Sequence, residues 1–195
     1  MRKVLLQGVS LFTLLCVVVC PPAVTQQPAS EESRIATREK LRKLLESHGT
    51  IMNVVFRPSD AEPFFFSGIL TQGLANAESF EIVIGVTSAD TISFRIYPHY
   101  KRAYINVDKA RESLALMRQL LRFSERTFLF WGTDSGGDVF AGYTVTLESG
   151  FPEEAVRVVL NSIKNLDRYI GEMRPAIDGS TAAAPSTSRQ PARTE

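Results

Sequence analysis

One short segment of the chain carries residues that could do covalent chemistry. Residues 133–137, Thr-Asp-Ser-Gly-Gly, place a serine between a carboxylate and two glycines. A serine nucleophile needs a histidine base within hydrogen-bond reach and a carboxylate that orients the histidine. The chain has two histidines. His48 is expected at a helix end beside Gly49, and His99 in a loop after Pro98, so neither sits in a setting typical of a catalytic base.

The same segment suits a hairpin turn. It resembles the G-D-S-G-G nucleophile segment of chymotrypsin-like proteases, but apolar runs at 128–133 and 139–147 flank it. A glycine-containing break between two strand-like runs is typical of a β-hairpin, and Asp, Ser and Gly favour its turn. We therefore predict that Ser135 is a turn residue and that the protein is not an enzyme. A small secreted serine hydrolase using Ser135 is the alternative.

The sequence offers little that would hold a metal or a cofactor, and we expect neither. Both cysteines, Cys16 and Cys20, lie in an apolar leader, and two histidines alone give no zinc-ligand spacing. Asp134 and Asp138 flank the turn without the ligand ladder of a calcium-binding loop.

The first 25 residues are predicted to be an export signal. Arg2 and Lys3 give it a positive start, and residues 4–19 are almost continuously apolar. We expect cleavage near Gln26 and a bacterial protein that is periplasmic or secreted. An uncleaved membrane anchor stays open, although an apolar run of about 16 residues is short for a span, which needs about 20. Lipidation at Cys20 also stays open.

The charge of the chain argues against nucleic acid as a partner, and its composition divides the rest of the chain into a linker, a domain and a tail. The formal net charge is +1, and removing Arg2 and Lys3 lowers it by two, to −1. A near-neutral domain lacks the basic surface that nucleic-acid binding needs. We predict a linker at 26–33, one domain at 34–177, and a disordered tail at 178–195 that has no apolar periodicity. No membrane span is expected after signal cleavage.

Periodicity predicts a helix and then four strands. Ser30 can cap a helix that Gly49 closes, with apolar residues on one face. Strands are predicted at 50–57, 64–70, 79–88 and 91–97. The third and fourth alternate apolar and polar residues, which is typical of an antiparallel sheet with one buried face. The predicted helix face and the two alternating sets are Leu41, Leu44, Leu45, His48; Phe80, Ile82, Ile84, Val86; and Ile92, Phe94, Ile96.

Two further helices flank the hairpin. The first is predicted from Asn106 or Val107, with an apolar stripe along one face. The second is predicted from Pro152 to Pro175, with a heptad-like stripe that fits a helix lying on a sheet better than a coiled coil. The stripes are Ala110, Leu114, Met117, Leu121; and Val156, Val159, Ile163, Leu166, Ile170, Met173. The fold class is α+β, with two layers: an antiparallel sheet of about five or six strands and helices on one face, in the order α-β-β-β(-β)-α-β-β-α.

The stretch from about Arg38 to Ile177 resembles the YbjN-like family. The matching features are the second helix, residues 127–130, the turn through Gly137 and Asp138, and residues 152–154 opening the last helix. The resemblance implies a domain like that of type III secretion chaperones, which binds a protein or peptide client and is frequently a homodimer. The family is described as regulators of sensory transduction, and it has no established active site to carry over.

A binding surface is predicted on the face of the sheet that the helices leave open. Because Phe64, Phe65 and Phe66 are consecutive in a strand, at least one ring must point away from the others, and Phe65 is the candidate. Arg95, Tyr97, His99 and Tyr100, near Lys101 and Arg102, form a cluster that could hold an anionic or peptide ligand. A solvated polar face is the alternative. Trp131 and Phe130 are expected on opposite faces of the hairpin, with one of them in the core.

Overall fold

The computed structural model describes residues 30–179, and the predictions made for the leader and for residues 180–195 lie outside this range. The elements in chain order are α1 Glu31–Met52, β1 Arg57–Pro58, β2 Phe65–Leu70, β3 Ser79–Val86, β4 Thr91–Tyr100, β5 Ala103–Tyr104, α2 Ser113–Arg126, β6 Phe130–Thr133, β7 Val139–Thr146, α3 Glu153–Ser162 and α4 Asp167–Asp178. A 3₁₀ turn, Ile163–Leu166, joins α3 to α4. No helix within this range is long and apolar enough to cross a membrane.

The strands form one antiparallel sheet in the order β1-β2-β3-β4-β7-β6, and β5 pairs with the end of β4. The alternation of side chains puts one apolar set on each strand against the helices. In β3 this set is Phe80, Ile82, Ile84 and Val86, all of them fully buried. The opposite face carries Phe65, Val83, Arg95 and their neighbours. The predicted α+β two-layer class is therefore confirmed, with helices on one face of the sheet.

Helix α1 starts as predicted but ends later. The Ser30 hydroxyl accepts a hydrogen bond from the Ser33 amide at 3.2 Å, and Asn53, at φ 58°, ends the helix. Gly49 lies inside the helix, where its carbonyl accepts from the Val54 amide at 2.8 Å. The strand predicted at 50–57 is wrong except at its last residue, because the helix continues through Met52. The helix also takes in residues 31–33 of the predicted linker.

Helix α2 starts later than predicted, and its buried face is not the predicted one. Residues 106–112 form turns that the Asn106 side chain holds, since its Oδ1 accepts from the amides of Asp108 and Lys109. The buried side chains of α2 are Leu116, Leu120 and Phe123, whereas Leu114, Met117 and Leu121 are exposed. Two helical faces of this sequence are apolar, so spacing alone could not identify the one in the core.

The C-terminal stripe is buried as predicted, although the helix that carries it is interrupted. All six stripe residues are at most 2% exposed. The 3₁₀ turn shifts the direction between α3 and α4, and Pro175 lies inside α4 rather than ending it. The chain leaves the helix only at Gly179, whose φ of 71° is accessible to glycine.

Helix α2 closes one edge of the sheet. Strand β6 is the last strand on that side, and the amide and carbonyl of Trp131 point away from β7. The amide donates to the Ser124 hydroxyl at 2.7 Å, and the hydroxyl lies 3.4 Å from the carbonyl oxygen. A side chain of α2 therefore accepts from a backbone amide that another strand would otherwise pair with.

Candidate functional site

The open face of the sheet carries a shallow groove of about 570 Å³. Two rows of paired residues cross its floor. One row runs Phe65, Gly85, Ser93, Thr144, and the next runs Val83, Arg95, Gly142, Phe130. The loop before β2 adds Ser59 and Glu62 to the rim. The groove is lined by phenyl rings, by short polar side chains and by a single cationic side chain, that of Arg95.

Two phenyl rings lie over glycines of the neighbouring strands and form the walls of the groove. A Cβ atom on Gly85 would lie 2.2 Å from the Phe65 ring, and one on Gly142 would lie 2.3 Å from the Phe130 ring. Each ring therefore occupies the space that a side chain would need. Since neighbouring strands are about 4.8 Å apart and β4 lies between β3 and β7, the two rings sit roughly 10 Å apart above β4.

Arg95 and an aromatic cluster occupy one end of the groove. Phe140 is only 6% exposed although it lies on the open face, because rings and a cation surround it. The Phe130 ring packs edge-on at 5.7 Å, Tyr97 lies at 5.6 Å, and the Arg95 guanidinium lies 5.0 Å from the Phe140 centroid. Arg95 has no hydrogen-bond acceptor and no carboxylate partner among residues 30–179. Its charge is available to a ligand.

The structure brings together some of the predicted site residues and separates others. Phe65, Arg95 and Tyr97 line the groove. His99 lies beside it on the same face, with its ring 4.4 Å from that of Tyr104. Tyr100 is on the helix side, where its hydroxyl donates to Asp178 at 2.9 Å, so it is not part of this surface.

The cations that follow Tyr100 are also separate from the groove. Lys101 binds Asp178 at 2.7 Å, which raises the pKa of the lysine through that hydrogen bond and lowers the pKa of the carboxyl group. The Arg102 backbone amide donates to Glu78 at 2.7 Å, and neither Lys101 nor Arg102 lines the groove. The predicted cationic cluster therefore reduces to Arg95.

A polar group borders the groove at the β5 end. Glu81 accepts a hydrogen bond from the Tyr104 hydroxyl, and its Oε2 lies 3.7 Å from His99 Nε2. The bond to Glu81 raises the pKa of Tyr104 to about 12. Glu81 is thereby bonded to Tyr104, so this end of the face presents an aromatic rim that contains one carboxylate group.

Ser135 lies in an exposed turn, as predicted. Asp134 Oδ1 accepts from the amides of Gly136 and Asp138 at 2.9 and 3.0 Å, and Asn106 Nδ2 donates to Asp138 at 2.8 Å. The turn's carboxylates thus hold the backbone. His48 contacts Asn161 and Arg157, and His99 contacts Glu81 and Tyr104, so neither histidine is placed to activate Ser135.

A second exposed apolar surface runs along α2. Leu114 is 57%, Met117 45% and Leu121 71% exposed, and they recur at a spacing of three and four. Arg118 and Glu125 lie beside this stripe. We call Leu114, Met117 and Leu121 the α2 stripe.

Sequence reasoning missed Phe130 and Phe140 as groove residues, together with Glu62 and Val83. A signal for the two walls was present. Gly85 and Gly142 stand inside strand patterns, and a glycine in a strand interior frequently marks the close approach of another group. Pairing each glycine with a ring required the strand order, which the pattern alone does not provide.

No family model and no curated protein matches the chain. Among solved structures, the fold is similar to a chain in the crystal structure of the ExsC–ExsE complex. The TM-score is 0.43 at 13% sequence identity, and the likeness covers 73% of this chain and 98% of that chain. The resemblance to the YbjN-like family stays a prediction.

Proposed function

We propose that the protein is a non-enzymatic, exported protein-binding module that holds a segment of a client protein on the open face of its sheet. The observation that carries the proposal is the groove between Phe65 and Phe130. It is apolar at its walls, open to solvent, and wide enough for one extended chain between rings roughly 10 Å apart. Open faces with aromatic residues and an arginine have the composition of protein-binding sites.

The face is favoured over the β6 edge of the sheet as the binding surface. A client strand added beside β6 would need the outward amide of Trp131, and this amide already donates to the Ser124 hydroxyl. By contrast, the groove offers side chains and no competing backbone pairing. A client would therefore be held by side-chain contacts in the groove rather than by added strand pairing at this edge.

The test is to charge the groove without unfolding the domain. Phe65→Asp and Phe130→Asp place a carboxylate at each wall, and Thr146→Asp places one on the same face outside the groove. Immobilised wild-type protein and the three variants would be incubated with periplasmic and secreted extracts of the source cells, and bound proteins identified by mass spectrometry. We expect clients on wild type and Thr146→Asp that the two groove variants lose. Groove variants that remain folded and keep every client would refute the proposal.

Self-association through the α2 stripe is part of the proposed function. If two copies of α2 pack antiparallel about a centre between Leu121 and Arg122, Arg118 of one copy lies at the level of Glu125 of the other, and the reverse pair forms as well. In this register the charges are self-complementary and the two copies of Leu121 adjoin at the centre, while Met117 lies at the level of Arg126 of the other copy. We propose a homodimer built on this pairing.

A charge-swap series tests the dimer by light scattering coupled to gel filtration. Leu121→Asp should give a monomer, and Arg118→Glu should weaken the dimer because it places two carboxylates together. The double variant Arg118→Glu with Glu125→Arg restores opposite charges and should restore the dimer. A wild-type protein that is monomeric at high concentration would exclude the dimer, and a double variant no better than Arg118→Glu would exclude this pairing.

Export and family membership complete the proposal. The apolar leader supports export, and the YbjN-like pattern supports a chaperone-like or regulatory role for the client contact. Fractionation of cells that express the full chain, with mass measurement of the mature protein, tests both cleavage near Gln26 and the predicted compartment. A mature protein that retains residue 1 in the cytoplasm would contradict export and leave the groove assignment to its own test.

A further inference from the structure

Arg95 carries a charge that nothing else in its surroundings neutralises. It is exposed on β4, between Val83 of β3 and Gly142 of β7. Of the other arginines, several contact carboxylates or carbonyls, for example Arg42 with Glu39 and Arg126 with Glu172. Arg95 has only the face of Phe140. Its guanidinium therefore keeps its hydrogen-bond donors for a partner outside residues 30–179.

The ring beneath Arg95 prepares the guanidinium for a planar anion. A guanidinium that lies over an aromatic face presents its N–H groups sideways, and it loses less side-chain freedom on binding than a free arginine would. Carboxylates match this geometry, because two oxygens accept two parallel N–H bonds. The neighbouring phenyl rings exclude water from one side of such a pair, which strengthens it.

The space beside Arg95 accepts an apolar group. The Phe65 and Phe130 rings rise over β3 and β7, and the floor between them on β4 is Ser93 and Arg95. A large apolar side chain placed here would contact both walls. The carboxylate and the apolar group would then lie on the same side of the ligand, as the side chains of residues two apart do in an extended chain.

The one acidic side chain that lines the groove belongs to its other end. Glu62 lies on the loop before β2, next to Ser59 and on the Phe65 side, whereas Arg95 shares its row with Gly142 and Phe130. Among the residues that line the groove, the negative group therefore lies at the Phe65 end and the positive group near the other end. Glu81 lies outside the lining and accepts the hydrogen bond of Tyr104. This polarity favours ligands whose carboxylate is at the Arg95 end.

We infer that the groove selects client segments that present a carboxylate and a large apolar side chain on the same side of the chain, with the carboxylate bound by Arg95. The inference rests on the proposed function, since it names the client chemistry of the same groove. The carboxylate belongs either to an internal Asp or Glu or to the C-terminus of the client chain, and both present the same pair of oxygens.

The test starts with random 12-residue peptides displayed on phage, in two libraries. One library displays peptides with free C-termini and the other displays them internally. Each is selected on immobilised full-length protein, with prior depletion on Phe65→Asp to remove phage that bind elsewhere. Enriched peptides are then synthesised with a fluorescent label, as free acids and as C-terminal amides, and their Kd values are measured by fluorescence anisotropy.

The variants separate charge from shape. Arg95→Gln removes the charge, Arg95→Lys keeps it without the planar fork, and Arg57→Gln is the matched control. Arg57 lies in the same cross-strand row on the same face, about 14 Å away and outside the groove. A charge-assisted pair predicts that Arg95→Gln weakens binding about tenfold or more, that Arg95→Lys weakens it less, and that Arg57→Gln leaves it within twofold.

The outcomes distinguish the inference from the function on which it rests. The inference is supported by enriched peptides that carry a carboxylate and an apolar residue on the same side of the chain. It is supported further if changing the carboxylate to its amide abolishes the difference between wild type and Arg95→Gln. If the free acid of a peptide binds more tightly than its C-terminal amide, the carboxylate that Arg95 binds is the C-terminus of the client chain. Peptides that need Phe65 but carry no carboxylate, and bind Arg95→Gln as well as wild type, overturn the inference and leave the proposed function intact. If neither library yields a peptide whose binding depends on Phe65, both the inference and the proposed function are overturned.

Discussion

The ring over Gly142 provides the sharpest test of the groove's architecture. Replacing Gly142 by alanine would place a Cβ 2.3 Å from the Phe130 Cζ atom and under 3 Å from both of its Cε atoms. Ordinary contacts between such atoms are about 3.4–4 Å, so the ring must move outward by more than 1 Å. Phe130 would then leave its edge-on contact with Phe140, and Phe140 would gain exposure to water.

The free-energy cost of Gly142→Ala can be worked out from the surface that the Phe130 ring buries in the wild-type protein. Phe130 is 47% exposed, so it buries about half of its surface, on the order of 100 Å² and about 2.5 kcal/mol. Lifting the ring forfeits about half of that, together with about 0.5–1.5 kcal/mol from the aromatic pair. Alanine recovers about 0.5–1 kcal/mol by restricting the unfolded chain. The net prediction is a loss of about 1–2 kcal/mol.

Gly132 is the matched control in the same hairpin. A Cβ there would meet only the Phe140 Cζ atom, at 3.9 Å, which is an ordinary contact. Gly132→Ala should therefore be neutral or slightly stabilising. Urea unfolding would be followed by fluorescence of Trp131, the single tryptophan of the chain, and by circular dichroism. With a typical slope, the Gly142→Ala midpoint should fall by roughly 0.5–1 M urea.

A double-mutant cycle identifies the cause. In a Phe130→Ala background the ring is absent, so Gly142→Ala should lose its penalty and behave like Gly132→Ala. If Gly142→Ala costs the same in both backgrounds, or costs no more than Gly132→Ala in the wild-type background, the stacked-ring account of the groove wall is wrong.

Two further predictions concern stability. Asp167 is buried and accepts hydrogen bonds from the amides of Ala75 and Ala77 at 2.7 Å. Asp167→Asn should therefore lower the free energy of unfolding in urea by about 2–4 kcal/mol, while the control Glu172→Gln on the same helix should lower it by less than about 0.5 kcal/mol. Equal effects of the two substitutions would contradict the role assigned to Asp167. The hydrogen bond to Glu81 raises the pKa of Tyr104 to about 12, so this tyrosine ionises at lower pH in the unfolded chain than in the folded one. The free energy of unfolding of wild type should therefore fall more steeply between pH 10 and 12 than that of Tyr104→Phe. Parallel pH profiles would contradict the bond to Glu81.

The sequence predicted most elements because their signals were local. Strict alternation identified β3 and β4, glycine between apolar runs identified the hairpin, and a single apolar stripe identified the buried face of α3 and α4. These patterns depend on periods of two or 3.6 residues, and the structure preserves them. Ser30 as the cap of α1 was predictable for the same reason.

The errors arose where tertiary contacts decide. Both faces of α2 are apolar, and only packing against Trp131 and Tyr169 assigns Phe123 to the core. Residues 50–56 favour a strand by composition, yet Met52 and Val54 are buried by continuing from the helix into the core. Tyr100 was an error of another kind, because alternation along β4 already places it on the face opposite Arg95, beside Asp178.

The candidate site was predictable in part. Phe65, Arg95 and Tyr97 follow from alternation on two strands that lie on one face. Phe130 and Phe140 join them only because β7 is inserted next to β4, which brings the hairpin across the sheet from sequence positions far away. Non-local strand order of this kind leaves no trace in a short window of sequence.

The hydrogen bond from the Trp131 amide to the Ser124 hydroxyl also has a consequence for the protein in concentrated solution. Exposed strand edges recruit other edges and begin the growth of fibrils. Here the Ser124 hydroxyl of α2 binds an outward amide of β6, the edge strand that belongs to the aromatic hairpin. Addition of another strand at the β6 edge is therefore disfavoured, even though phenyl rings lie uncovered on the neighbouring face.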